Sequence, residues 1–199
     1  MRRREPYSQH SESPLMPEHD VTRMLEEWRR GDTGAGDALF GVVYDDLRAL
    51  ARRQLVRLNP GQSLNATVLV HETYMKFSER SAPDAVNRAH FLAMAARAMR
   101  HLVIDHIRRR QTRKRDGGMR VPLESGVVAG NDTPQIDLIA MDRALSRLEA
   151  LDARQARIVD MRFFAGLELT EIAATLGVSE RTVKREWQKA RVFLYAALH

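Results

Sequence analysis

The chain has no cysteine, which excludes disulfide bonds and thiol chemistry and fits a reducing compartment. Aromatic residues make up only 6% of it, so few rings are available for stacking platforms. No apolar run approaches the length of a membrane span, and the amino end, MRRREPYSQHSESP, lacks the hydrophobic segment of a secretory signal. A soluble cytoplasmic protein with no membrane partner is expected. Internal repeats and strand-like alternation are also missing, which points to an all-α fold. Acids are almost absent from one stretch: between Arg97 and Arg115, eight Arg or Lys residues accompany a single acid, Asp105. With a formal charge of +6 and a pI near 10.1, this cluster suits nucleic acid or an anionic membrane surface.

Periodicity then divides the 199 residues. Residues 1–19 mix Arg, Ser, Pro, Glu and His without apolar spacing and are expected to form a disordered tail. Val21, Leu25 and Trp28 begin a short amphipathic helix that stops near Gly31. Leu39, Val43, Leu47, Leu50 and Gln54 continue at helical spacing. The stretch NATVLVHETYMKF, from Asn65 to Phe77, puts Ala66, Val70, Thr73, Tyr74 and Phe77 on one flank of a helix. After the turn ERSAPDAVN comes a long helix, RAHFLAMAARAMRHLVIDHIRRRQTRKR. Phe91, Met94, Ala98, Leu102 and Ile107 give it an apolar side that presents its cations from a folded surface. Residues 20–111 therefore read as one helical bundle. The run RDGGMRVPLESGVVAGNDTPQ, with four Gly and two Pro, marks residues 112–136 as a linker that lets the flanking blocks tumble semi-independently. Residues 137–199 read as a second, small helical domain.

Enzymatic readings find no support, and no catalytic residue, metal ligand or cofactor is assigned. His101 and His106 are five apart and do not share a helical face, and HETY lacks the second histidine of a zinc-protease helix. There is no P-loop and no glycine-rich dinucleotide turn. Asp45 and Asp46, adjacent in sequence, point in different directions and read as capping or solvated acids.

The sharpest local signal is LTEIAATLGVSERTVKREWQKARVFL. Thr170 is placed to cap a helix that turns Ile172, Ala173 and Leu176 inward, and Gly177 sits where a left-handed C′ residue is wanted. Ser179 caps a second helix whose apolar stripe is Val183, Trp187, Ala190 and Leu194. Arg181, Lys184, Arg185 and Gln188 occupy another face near the helix start. This is the pattern of a helix-turn-helix, with cations able to reach phosphates and base edges of the major groove.

The helix at Asn65–Phe77 poses a different question. Its outer flank, Thr67, Val68, His71 and Met75, carries little charge beyond Glu72, where a solvent-facing helix normally has several charges.

Taken in order, residues 20–198 resemble the extracytoplasmic-function (ECF) sigma factors of bacteria. MRHLVIDHIRRR is similar to the family's Arg-Asn-x-x-x-Asp-x-x-Arg-Arg helix, aligned on Arg100, Asp105, Arg108 and Arg109, with His101 in place of the usual Asn. LDARQARIVDMRFFAGLELTEIAATLGVSERTVKREWQKAR resembles the domain-four helix-turn-helix. The resemblance implies sigma domain two at 20–111 and sigma domain four at 137–199. It implies minus-thirty-five contacts from Ser179, Arg181, Thr182, Lys184, Arg185, Gln188 and Lys189. Minus-ten contacts are implied for Arg97, Arg100, His101, Arg108 and Arg109, together with the Ala82–His90 loop. Rings near those cations are few: Phe91, and Tyr74 or Phe77 if they are not core.

The implied partners are promoter DNA and core RNA polymerase, through its β′ clamp helices and β flap, with the chain a monomer off polymerase. In most of the family the segment aligned on Leu69, Glu72 and Tyr74 reads Asp-Ala-Glu-Asp-Leu-Val-Gln-Glu-Thr-Phe, and its acids dock on the clamp. Here Thr67 and Val68 replace the two central acids and His71 replaces Gln. The polymerase-binding set is then Thr67, Val68, His71, Glu72 and Met75, without the usual charge. LNATVLVHETYMKF as a whole resembles a subgroup sharing this loss, some of it linked to Ser/Thr protein kinases. A hydroxyl standing where a carboxylate belongs makes Thr67 the expected phosphorylation switch, with Ser63 a nearby alternative acceptor. A stand-alone helix-turn-helix regulator remains the second reading. An RNA-binding or membrane-surface protein using the basic helix is the third.

Overall fold

The computed structural model describes residues 18–58, 64–80, 82–115 and 138–199. Nine α-helices run through them: α1 (Glu18–Arg29), α2 (Thr33–Val42), α3 (Tyr44–Leu58), α4 (Ala66–Arg80), α5 (Arg88–Arg115), α6 (Leu138–Leu151), α7 (Ala153–Val159), α8 (Leu169–Leu176) and α9 (Glu180–Leu198). A π-helical turn, Asp160–Ala165, extends α7, and no strand occurs among the described residues. The fold is all-α.

The breaks between helices have local causes. Asp32 caps α2 by accepting a hydrogen bond from the Ala35 amide at 3.2 Å. The continuous period read across Leu39, Val43, Leu47, Leu50 and Gln54 is split at Val43, yet all five side chains remain buried because α3 resumes the same face. Asn65 caps α4 through the Val68 amide at 2.9 Å, and Asn87 caps α5 through the His90 amide at 2.8 Å.

The first block closes around an aromatic cluster. Phe40 meets Trp28, Tyr74 and Phe91 edge-on at centroid distances of 6.2, 5.0 and 5.6 Å, and Phe77 lies 5.9 Å from Phe91. Edge-to-face contacts of this kind add to the burial of large rings. Gln54 of α3 is buried and donates to the Ala96 carbonyl at 2.7 Å, so its amide nitrogen is satisfied.

α5 is the axis of the molecule, about 42 Å long at 1.5 Å per residue. Alanines at 93, 95, 96 and 98 allow close approach of neighbouring backbones on several sides. α3 and α4 pack on it from the first block, and the π turn, α6 and α8 pack on it from the second. The two blocks share one hydrophobic cluster in this structure. Helix-period reading could not foresee this. The contact uses alanines and oppositely charged side chains, which on an isolated helix read as surface. Residues 112–115 continue α5, while the rest of the expected linker and the expected tail to residue 17 lie outside the described residues.

Candidate nucleic-acid interface

The helix-turn-helix is built by local signals. α8 ends at Gly177, whose φ of 63° and ψ of 34° are left-handed and suit a residue without Cβ. Thr170 does not cap α8. The cap is Glu168, two residues earlier, where the Glu168 amide donates to the Glu171 carboxylate at 2.7 Å; Thr170 is an exposed residue inside the helix. Ser179 caps α9 through the Thr182 amide at 3.2 Å, and the two hydroxyls lie 2.9 Å apart. Val183 and Ala190 are fully buried, Leu194 is buried and Trp187 is half-buried. Arg181, Lys184, Arg185, Gln188 and Lys189 are exposed together along the first three turns of α9, and Thr182 is half-buried beside Ser179.

One residue of this element escaped the sequence reading. Glu186 is only 2% exposed and accepts from Gln155 of α7 at 3.1 Å, Arg185 at 3.1 Å and Lys189 at 3.3 Å. Burial pushes its carboxyl up, but the hydrogen bonds from Arg185 and Lys189 outweigh that and leave it below the usual range. Asp152, the cap of α7, in turn accepts from the Gln155 side chain at 2.9 Å. The recognition helix is therefore fixed to α7 by a polar chain. The available signal was positional: Glu186 lies three residues after Val183 on the inward stripe. Further along α9, Met141, Val159, Phe163, Trp187, Val192 and Tyr195 line an open apolar groove of about 510 Å³.

The α5 cations are assembled differently. Arg97, Arg100 and Arg108 fall on one side of the helix, but each meets an acid of the second block. Arg97 lies 2.7 Å from Glu149. Arg100, 4% exposed, donates to Asp142 at 3.0 Å and Asp160 at 3.2 Å and stacks 5.0 Å over Phe164. Arg108 donates to Asp142 at 3.2 Å, and Arg109 is exposed. Burial pushes the Asp160 carboxyl up, against the pull of Arg100. Burial, then Arg100, lowers the pKa of His101 to about 4, so its imidazole is neutral at physiological pH. The Ala82–His90 segment buries Pro83 and Ala85, and its Val86 is exposed.

Phe91, a candidate stacking ring, is fully buried, and Tyr74 and Phe77 pack against Phe40 in the same core. None of the three forms an open platform beside the cations, because the aromatic cluster needs all of them. The outer flank of α4 matches its reading. Thr67, Val68, His71, Glu72 and Met75 are all exposed, with Thr67 in the first turn after the Asn65 cap. Ser63 lies outside the described residues.

A family model described as ECF sigma factor matches residues 18–199. The chain is similar to the ECF RNA polymerase sigma factor SigF of Caulobacter vibrioides, 34% identical over 77% of this chain and 80% of that protein. It is similar to SigL of Mycobacterium tuberculosis, 29% identical over 77% of this chain and 85% of that protein. It also resembles BldN of Streptomyces coelicolor at 25% identity over 83% of this chain, spanning 62% of that longer relative. A helix-turn-helix with its cationic face open, a basic helix in the first block and a match from residue 18 to the last residue agree: the chain belongs to the ECF sigma factor family.

Proposed function

We propose that this protein is an alternative sigma factor of the cytoplasm that binds core RNA polymerase and directs promoter recognition, DNA melting and transcription initiation, without enzymatic activity of its own. The observation that carries it is the exposed set Arg181, Lys184, Arg185, Gln188 and Lys189 on a helix capped by Ser179. Cations and an amide at the amino end of a recognition helix suit phosphates and base edges. In this reading residues 137–199 are sigma domain four, taking the minus-thirty-five element. Residues 20–111 are sigma domain two, with Arg97, Arg100, His101, Arg108 and Arg109 for the minus-ten element. The apolar groove along α9 is a surface for a helical segment of the β flap, since exposed apolar patches mark partner sites.

The β′ clamp contact runs through the outer flank of α4 and depends on Thr67. Unmodified, this flank offers a basic partner only Glu72 among exposed Thr67, Val68, His71 and Met75. Phosphorylation of Thr67 by a Ser/Thr protein kinase adds a charge of about −1.5 to −2, comparable to the two acids other family members carry. Its place in the first turn of α4 lets the helix dipole favour that charge.

The same bare flank favours a second reading, a stand-alone helix-turn-helix regulator that has lost its polymerase contact. Transcription in vitro separates them. Purified core polymerase and genomic fragments are assayed with wild type, Thr67→Ala, Thr67→Asp and kinase-treated protein. Transcripts that require the protein, and that rise on kinase treatment in wild type but not in Thr67→Ala, are expected. Full activity from unphosphorylated protein, undiminished in Thr67→Ala, sinks the switch but keeps the sigma factor. Promoter binding without any core-dependent transcript, with or without kinase, favours the regulator.

A further inference from the structure

On the recognition helix, one carboxylate stands where a charge is least expected. Glu186 of α9 is 2% exposed, on the inward stripe that carries Val183 and Ala190. Burying a carboxylate is costly unless hydrogen bonds and opposite charges offset its lost hydration. Here they do, and they reach outward. Its Oε2 accepts from the Gln155 side-chain amide at 3.1 Å. Its Oε1 accepts from the Arg185 Nε at 3.1 Å and from the Lys189 ammonium at 3.3 Å. Behind it, the same Gln155 nitrogen donates to Asp152 at 2.9 Å, and Asp152 caps α7 through the Arg154 and Gln155 amides, both at 3.0 Å. A helix end thus braces an amide, the amide braces Glu186, and Glu186 holds two cationic side chains that remain 62% and 57% exposed.

Which atom of Arg185 is held decides what the side chain can do. A guanidinium is planar and carries five N–H donors, one on Nε and four on its two terminal nitrogens. A bond at Nε fixes the plane and leaves the terminal pair, a fork of two donors, for an outside acceptor. Such a fork matches the O6 and N7 acceptors of guanine in the major groove. Ordering the side chain before DNA arrives also lessens the entropy lost on binding. Lys189 is a point charge without that geometry, and sharing a carboxylate with Arg185 weakens its pull on phosphates of any sequence.

We propose that Glu186 is a positioning residue for base recognition, which orients the Arg185 fork toward one base of the minus-thirty-five element and damps sequence-blind attraction to phosphates. The proposal rests on the reading of α9 as the recognition helix, and its test tells the two apart.

The test uses the full-length protein, alone and with core RNA polymerase, and a pool of random-sequence DNA duplexes as the probe. Sequences enriched by wild type define a preferred duplex, and its affinity relative to a scrambled duplex measures discrimination. Glu186→Gln keeps the size of the side chain and removes its charge. Discrimination is expected to fall by roughly tenfold, the share that one bidentate contact supplies. The loss should lie at the base pair where Arg185→Ala also loses preference, while affinity for scrambled duplexes holds or rises. In the Arg185→Ala background, Glu186→Gln should change discrimination no further, because residues acting through one another are not additive. Gln155→Ala alters no charge and should blur preference at the same base pair. It carries the test if circular dichroism shows Glu186→Gln to be misfolded. Glu26→Gln removes the same charge from an exposed site on α1 and should leave discrimination as in wild type.

A Glu186→Gln loss that is equal on all duplexes, or that persists in full without Arg185, makes Glu186 structural only and overturns the proposal. A loss matched by Glu26→Gln is bulk charge and overturns it too. Preference that Arg185→Ala abolishes but Glu186→Gln and Gln155→Ala leave intact refutes the positioning alone and keeps α9 as the reader. No enriched sequence, with or without core polymerase, or preference indifferent to Arg185→Ala, overturns both Glu186 as a positioning residue and Arg185 as a base reader.

Discussion

Arg100 of α5 and Asp142 of α6 lie 3.0 Å apart although 42 residues separate them in the chain, and the Arg100 side chain keeps only 5% of its exposure. A guanidinium in a helix with the basic pattern of a nucleic-acid reader is thus spent inside the protein. The same Asp142 also receives Arg108 at 3.2 Å, so one carboxylate organises two cations.

Deleting that carboxylate strands a buried charge. Asp142→Ala is expected to destabilise the protein by about 3–5 kcal/mol, the usual cost of breaking a buried pair by removing one partner. Arg100→Met combined with Asp142→Leu should cost much less, since neither charge then remains to be buried. Urea unfolding followed by circular dichroism measures both. Equal losses in the single and double variants would mean that the pair's packing, and not its charge, matters.

Gly36 makes a prediction against helix propensity. An alanine in a helix interior ordinarily gains about 1 kcal/mol over glycine. A Cβ at Gly36 would come within 2.7 Å of the buried Trp28 ring, whereas one at Gly41 of the same helix meets nothing within 4 Å. Gly36→Ala should lose about 1–3 kcal/mol to overpacking, and Gly41→Ala should gain up to about 1 kcal/mol. Thermal unfolding of the two variants tests whether the sign reverses between them.

On α9, Arg185 and Lys184 are expected to separate by role. If Arg185 makes a bidentate base contact, Arg185→Ala weakens binding to a promoter duplex by about 1–3 kcal/mol and relaxes sequence preference. Lys184→Ala, a phosphate contact in this reading, should weaken all duplexes alike and shallow the salt dependence. Titrations against cognate and scrambled duplexes at several salt concentrations distinguish them. Because Arg185 also bonds Glu186 at 3.1 Å, helicity must be checked in the variant.

His101 predicts a pH dependence with a definite sign. Its pKa falls from 6.5 to about 4, first through burial and then through Arg100, with Asp142 opposing and Arg97 and Lys76 adding. The unfolded chain therefore binds the proton more readily between these values, and stability rises with pH across that window. The contribution is complete above the unfolded pKa of 6.5 and is lost as pH falls toward 4. The urea midpoint should drop between about pH 7.5 and about pH 5, and His101→Asn should reduce the drop. His90, also lowered by burial, leaves a residual slope of the same sign. A slope unaltered by His101→Asn would remove His101 from the account.

The sequence by itself determined what depends on neighbours a few residues away. The helical pattern of α5 was legible from Arg88 onward, although its last residues, 112–115, were expected in the linker, and Gly177 and Ser179 delimited the turn and the recognition helix. Their causes are caps, left-handed glycine and a spacing of three and four, all of which act within one or two turns. The bare flank of α4 was legible for the same reason: exposure follows from which side the apolar residues take. Tertiary structure alone decided the fate of the cations. The partners of Arg97, Arg100 and Arg108 lie 52, 42 and 60, and 34 residues away, and no period links a basic helix to acids at such separations. It decided too that Phe91 is core, that Glu186 is buried and that α2 and α3 part at Val43. Each depends on which other helix arrives at that face, and that is set only when the whole chain packs.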